Sequence, residues 1–172
     1  MKRVFALLSA LVLVAGCSDS DTTPAATDDN RAQFTANLLA ANEPSLPGPT
    51  EAAASGTAHI DMHLTKDAAG TITAATVDFR VDLAGFTPTS AITLAHIHTG
   101  AAGVSGPVLV TADVVAGQVT LTNGTGTFTR INLPITPVSN AQAIINNPAG
   151  FYFNVHSSLN PQGVIRGQLV RQ

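Results

Sequence analysis

Residues 95–100 read AHIHTG, and residues 152–156 near the end of the chain read YFNVH. Side chains alternate between the two faces of a β-strand, so a strand over the first stretch places His96 and His98 on one face. A strand over the second stretch places Tyr152, Asn154 and His156 on one face and the residues between them on the other. If the two strands share a sheet, three imidazoles meet on one surface. The two stretches therefore predict a β-sheet that carries a candidate metal site.

The composition predicts a domain built mainly of strands. The chain has 172 residues, of which 45% are hydrophobic, and this is enough for one domain with a packed core. Only 11% of the residues are charged and 5% are aromatic, which favours strands joined by turns over amphipathic helices. The formal charge is −3 and the basic residues do not cluster, so the sequence predicts no nucleic-acid partner.

Alternating apolar residues and regularly spaced turn residues predict an antiparallel β-sandwich or barrel. A short Gly-containing turn joins two long alternating runs and predicts a hairpin, and Asn123-Gly124 predicts a tight turn. The predicted strands cover residues 34–40, 55–64, 71–83, 92–98, 151–156 and 164–170, and residues 108–115 and 118–131 are expected to give two or three more.

One short helix is predicted near residues 139–147. Ser139 and Gln142 have the spacing of a capping box, and an apolar run follows them. Pro148 and Gly150 are expected to end the helix.

The N-terminus predicts export. Residues 1–16 combine two basic residues with an apolar run and small residues, which is typical of a signal peptide. LVAGC at 13–17 resembles the bacterial lipobox, which implies cleavage before Cys17 and acylation of that cysteine by chains such as palmitate. The alternative is an ordinary signal peptide with an incidental cysteine. Because Cys17 is the only cysteine, it cannot form an internal disulfide, and several acyl chains would give a durable membrane anchor.

Residues 17–32 are predicted to be the lipidated cysteine and a flexible acidic linker, because they are polar and lack a hydrophobic period. An acidic ligand-binding tail is the alternative. The folded domain is expected over residues 33–172. In a Gram-negative host, such a lipoprotein is expected at the outer membrane.

Two long segments carry a resemblance to a known family. AHIHTGAAGVSGPVLV at 95–110 and FYFNVHSSLNPQGVIRGQL at 151–169 strongly resemble the CHRD domain, a module named from chordin. Residues 39–44 fit the opening segment of the family, and residues 126–128 fit its middle strand. The resemblance covers residues 33–171 and implies an all-β, antiparallel, immunoglobulin-like sandwich with limited similarity to copper/zinc superoxide dismutases. It implies no settled biochemical activity.

The dismutase similarity extends to part of a metal site. His96 and His98 resemble the His-x-His copper ligands of the dismutases, and His156 resembles their late copper ligand. Arg166 resembles the arginine that guides anions. No histidine lies between His98 and His156, so the bridging imidazole and the zinc histidines have no counterpart, and the structural disulfide is impossible. The resemblance therefore implies copper first and zinc second as cofactors, and it does not support a dismutase or another enzyme.

Each candidate site also has a structural interpretation. The histidines that could bind metal could instead bond to backbone and hold the loops at 99–107 and 157–163. A second row, His59, Asp61 and His63, is either a set of ligands or the solvated face of a strand. Arg166 either binds an anion or pairs with a carboxylate or a loop carbonyl, with Glu43 as one candidate partner.

The sequence thus predicts a lipid-anchored, extracytoplasmic CHRD-type domain. The leading hypothesis is a non-enzymatic binding or structural module with a protein or glycan ligand. The alternative is a copper- or zinc-binding protein that uses the three histidines of residues 96, 98 and 156.

Overall fold

The computed structural model describes residues 28–172, which form nine strands and one α-helix. The predicted signal peptide, Cys17 and most of the predicted linker lie outside these residues. Short 3-10 turns cover Ala40–Asn42, Pro49–Glu51 and Pro148–Gly150. The strands are β1 (Arg31–Leu39), β2 (Ser55–Lys66), β3 (Ile72–Ala84), β4 (Ile92–Thr99), β5 (Val108–Thr111), β6 (Gly126–Pro134), β7 (Phe151–Ser157), β8 (Ile165–Gln168) and β9 (Val170–Arg171).

The strands form one antiparallel sheet in the order β5-β4-β7-β8-β1-β2-β3-β6, and β9 also pairs with β1. Three strands separate β3 from β7 in this order, yet the ring centroids of Phe79 and Phe153 lie 5.5 Å apart. The sheet therefore curls until its inner faces meet, which makes a half-barrel and confirms the all-β, sandwich-like fold.

The core lies on the inner face of the sheet. In β2, Ala58, Ile60 and Met62 are buried, as their alternation predicts, and His59 between them is exposed. The same alternation buries every second residue of β1, and of β3 from Ala75 onward. The contiguous apolar face is what holds the curled sheet together.

Two local predictions have different outcomes at the edges of the sheet. Asn123-Gly124 forms the predicted tight turn, with φ angles of 52° and 77° and hydrogen bonds in both directions between Thr122 and Thr125. Of the strand structure predicted over residues 118–131, the part before the turn is wrong, because β6 begins only at Gly126. The chain leaves the sheet after β5 and rejoins it through the turn.

The predicted helix is α1 (Ser139–Asn146), but the predicted capping box is wrong. Ser139 is the first helical residue, and Val138 occupies the N-cap without a side-chain hydrogen bond. The backbone of Val138 is already helical, with φ −60° and ψ −24°. Ser139 consequently lacks the extended conformation from which a capping side chain bonds back to the helix.

The register of β4, β7 and β8 positions the histidine face. His96 lies opposite Asn154, and His98 lies opposite Tyr152. Arg166 of β8 lies opposite Asn154 on its other side. Residues directly opposite in an antiparallel pair share a face, so these side chains all project from the outer face of the sheet. Every residue of β7 is buried, because loops cover that outer face.

Candidate metal centre

The structure brings the three histidines together. His96 and His98 project from β4, and His156 projects from the adjacent β7. One ring nitrogen of each histidine lies within 4.8 Å of a ring nitrogen of the other two. The ring centroid of His96 lies 5.4 Å from that of His98 and 5.2 Å from that of His156. A single ion is small enough to contact all three rings after modest side-chain adjustment.

Two of the rings are fixed by loop carbonyls through their Nδ1 atoms. His98 Nδ1 lies 2.9 Å from the Gly106 carbonyl oxygen, and His156 Nδ1 lies 3.0 Å from that of Pro161. A carbonyl oxygen only accepts hydrogen bonds, so in the neutral rings Nδ1 donates and Nε2 carries the free lone pair. These are the loop contacts of the structural interpretation. They are also the contacts that orient metal-binding imidazoles in other proteins.

Two imidazole nitrogens in the cluster are buried without a partner. Within residues 28–172, neither His96 Nδ1 nor His98 Nε2 has a hydrogen bond. Buried polar atoms almost always have a partner, and an isolated one destabilises the fold. Two such nitrogens in one cluster fit a bound cation.

Burial keeps the imidazoles in the form that binds metal. Burial, together with the charges that His156 and His98 carry when protonated, lowers the pKa of His96 to about 4. Burial is also the main cause that lowers the pKa of His98 and of His156. All three rings are thus neutral at pH 7, and no proton has to leave before a metal ion binds.

The lowered pKa of His96 predicts a stability that depends on pH. In unfolded chains His96 binds a proton below pH 6.5, whereas in the fold it does so only near pH 4. We expect the free energy of unfolding of the metal-free protein to fall as the pH drops from 6.5 to 4, by up to about 1.4 kcal/mol per pH unit from this residue. Urea unfolding in the presence of a chelator at several pH values measures this change of stability with pH. The variant His96→Gln should show a shallower slope, and equal slopes would contradict the prediction.

A stack of three side chains braces His98. The Tyr152 ring lies parallel to the His98 ring, with centroids 4.9 Å apart and planes at 7°. The Arg166 guanidinium carbon lies 3.3 Å from the Tyr152 centroid. Arg166 Nη2 donates to the carbonyl oxygens of Ala101 and Val104, at 2.8 and 2.9 Å. Arg166 thus bonds the loop over the histidines, as its structural interpretation expects, and cation–π attraction adds to the stack.

Comparison with known proteins gives the family. The sequence profile described as the CHRD domain matches residues 34–169, which is most of the chain. The chain belongs to the CHRD domain family. A second profile, described as a prokaryotic membrane lipoprotein lipid attachment site, matches residues 1–18, which include Cys17. Comparison with curated proteins and with solved structures finds no significant match.

The lipid attachment site makes this CHRD-domain protein a lipid-anchored, extracytoplasmic protein of the cell envelope. Its attachment to the membrane is through lipid. Over residues 28–172, no helix is both long enough and apolar enough to span a bilayer.

The second histidine row of the CHRD domain does not assemble into a cluster. Asp61 forms an ion pair with Arg31, which lowers the pKa of the Asp61 carboxyl. His63 Nε2 lies 3.2 Å from the carboxylate of Asp78. Among residues 28–172, the group of three potential ligands that converges is the one on β4 and β7. These contacts favour the solvated-face interpretation of His59, Asp61 and His63.

Sequence reasoning missed Glu51 of the CHRD domain. This carboxylate is fully buried and accepts hydrogen bonds from Ser157 Oγ at 2.5 Å, from Asn160 Nδ2 and from Ser90 Oγ. The first two donors belong to the end of β7 and the following loop, which also supplies the Pro161 carbonyl to His156. Glu51 follows a proline-rich loop and has no local pattern around it, so no sequence signal marked it.

The sequence placed Asn154 on the same strand face as His156 but indicated no role for it. It also suggested Glu43 as a partner of Arg166. In the part of the chain that the structure describes, Glu43 forms no ion pair with Arg166. Instead, Glu43 Oε1 accepts a hydrogen bond from Asn154 Nδ2 at 3.4 Å. Both residues are buried beside the histidines, and burial raises the pKa of Glu43.

Proposed function

We propose that this lipid-anchored CHRD-domain protein is a non-enzymatic metal-binding module of the cell envelope, which takes copper or zinc at His96, His98 and His156. The observation that carries the proposal is the pair of buried, unpartnered imidazole nitrogens within the converging cluster. Neutral imidazole is a preferred ligand of both metals. In a Gram-negative host, we further propose that the protein carries this site at the outer membrane.

The loop contacts support the proposal because they orient the ligands in advance. With both Nδ1 atoms bonded to carbonyls, the Nε2 atoms of His98 and His156 are held ready for an ion. A site that is oriented before binding loses little conformational freedom when the ion arrives. The same contacts let the histidines hold the loops, so the structural and the metal-binding interpretations describe two roles of one cluster.

Metal titration of the purified lipidated protein in detergent tests the function. We expect one copper or zinc ion per chain by calorimetry and by elemental analysis after dialysis. A variant with alanine at His96, His98 and His156 should retain no stoichiometric ion. The matched control carries alanine at His59 and His63, which are exposed on the other part of the sheet, and should bind as the unchanged protein does. Equal binding by the triple variant, or none by the unchanged protein, would refute the function.

A further inference from the structure

Asn154 lies in the middle of the histidine cluster. It projects from β7 directly opposite His96, and it is 3% exposed. Its Oδ1 atom lies 3.1 Å from His156 Nε2. Asn154 is therefore in contact with one of the ring nitrogens that the proposed metal would use, His156 Nε2.

The facing atoms of Asn154 and His156 are both acceptors. His156 Nδ1 donates to the Pro161 carbonyl, so its Nε2 presents a lone pair. Asn154 Nδ2 donates to Glu43, so the oxygen of the amide is the atom that faces the imidazole. Two lone pairs at 3.1 Å repel each other unless a positive centre lies next to both. A metal ion bound to both atoms is such a positive centre.

The separation of the two atoms fits two ligands of one ion. Ligands of a tetrahedral ion are about 3.3 Å apart when both bonds are about 2.0–2.1 Å. We propose that Asn154 Oδ1 is the fourth ligand of the ion held by His96, His98 and His156, and that Glu43 is a positioning residue for its amide. This inference rests on the proposed function. It assigns a closed, four-coordinate site of three nitrogens and one oxygen.

The loop after β7 is shaped around the positioning carboxylate. A Cβ atom at Gly163 would lie 2.6 Å from Glu43 Oε1, and the φ angle of Gly163 is +131°. A residue with a side chain at this position would push the Glu43 carboxylate away from Asn154. The glycine thus leaves room for Glu43 to hold the amide with its oxygen toward the histidines.

A closed site also explains why binding and not catalysis is expected here. Catalytic zinc and copper sites keep a position open for water or substrate, whereas sites with four protein ligands do not. If Asn154 fills the fourth position, an added anion has no place on the ion. Removing the Asn154 side chain should open that position.

Binding of Co²⁺, as a spectroscopic stand-in for zinc, to the lipidated protein in detergent tests the assignment. We expect the unchanged protein to bind one Co²⁺ with a visible spectrum that azide does not alter. Asn154→Ala should bind Co²⁺ at least about 10-fold more weakly, and azide should shift its spectrum. Asn154→Asp, which keeps an oxygen ligand, should bind tightly and stay insensitive to azide. Glu43→Ala should gain azide sensitivity, because the amide is then free to turn.

His63→Ala is the control, since it removes an imidazole on β2 that lies outside the cluster. It should keep the Co²⁺ affinity and the azide-insensitive spectrum. If the unchanged protein binds Co²⁺ and Asn154→Ala matches it in affinity and in azide response, the fourth ligand is not Asn154 and the three-histidine site stands. If the unchanged protein binds no Co²⁺, the metal-binding function fails and the inference with it.

Discussion

Arg166→Ala is expected to lower the free energy of unfolding by about 3–5 kcal/mol. Arg166 is 1% exposed, and its removal leaves a cavity under the loop at residues 100–107. It also removes the charged donor of the Ala101 and Val104 carbonyls and the cation that stacks on Tyr152. Urea unfolding measures the loss of stability, and hydrogen exchange should show faster opening of the loop.

The control for this prediction is Arg80→Ala, which removes an exposed arginine of β3 and should change the stability by less than about 0.5 kcal/mol. Metal affinity should also fall in Arg166→Ala, because the loop carries the Gly106 carbonyl that orients His98. If Arg166→Ala and Arg80→Ala unfold at the same urea concentration, Arg166 does not clamp the loop.

Glu51→Ala is the second substitution with a large expected effect, a loss of about 3–5 kcal/mol in the free energy of unfolding. The change leaves three buried or half-buried donors without their acceptor, on Ser90, Ser157 and Asn160. Glu51→Gln should lose less, because its amide oxygen still accepts. Urea unfolding of the unchanged protein, Glu51→Gln and Glu51→Ala measures the expected order of stability.

Asp29→Ala, at an exposed carboxylate near the start of β1, is the control for Glu51 and should leave the unfolding midpoint nearly unchanged. A double variant, Glu51→Ala with Ser157→Ala, should be less destabilised than the sum of the two single changes, since both remove the same hydrogen bond. Full additivity of the two losses would show that the contact contributes nothing.

The sequence predicted those parts of the fold that follow from local periodicity. The alternation over β2 and β3 assigns the inner face correctly, and the glycine turn at 123–124 is confirmed by its backbone angles. The start of β6 and the cap of α1 were wrong, because both depend on where the chain bends before the element begins. Short polar and glycine-containing segments give no periodic signal that would fix such a bend.

The candidate site also has one part that local periodicity predicts and another part that it does not. His96, His98 and His156 could be brought together from strand periodicity and the pairing of two motifs. Asn154 lies on the same predicted face, but its role depends on which atom of its amide faces the ring, and that is set by Glu43 from a segment 111 residues away. Glu51 is likewise defined by donors far along the chain. Contacts of this kind have no signature in a single sequence.

The direction of β1 determines at which end of the domain the histidine cluster lies. β1 starts at Arg31, on the side where the chain arrives from its lipid anchor, and ends at Leu39. Leu39 is paired with Arg166, which lies in one row across the sheet with Asn154 and His96. Eight residue steps of about 3.3 Å put this row about 26 Å from the start of the strand. The cluster therefore lies toward the end of β1 opposite to the end at which the chain enters the domain.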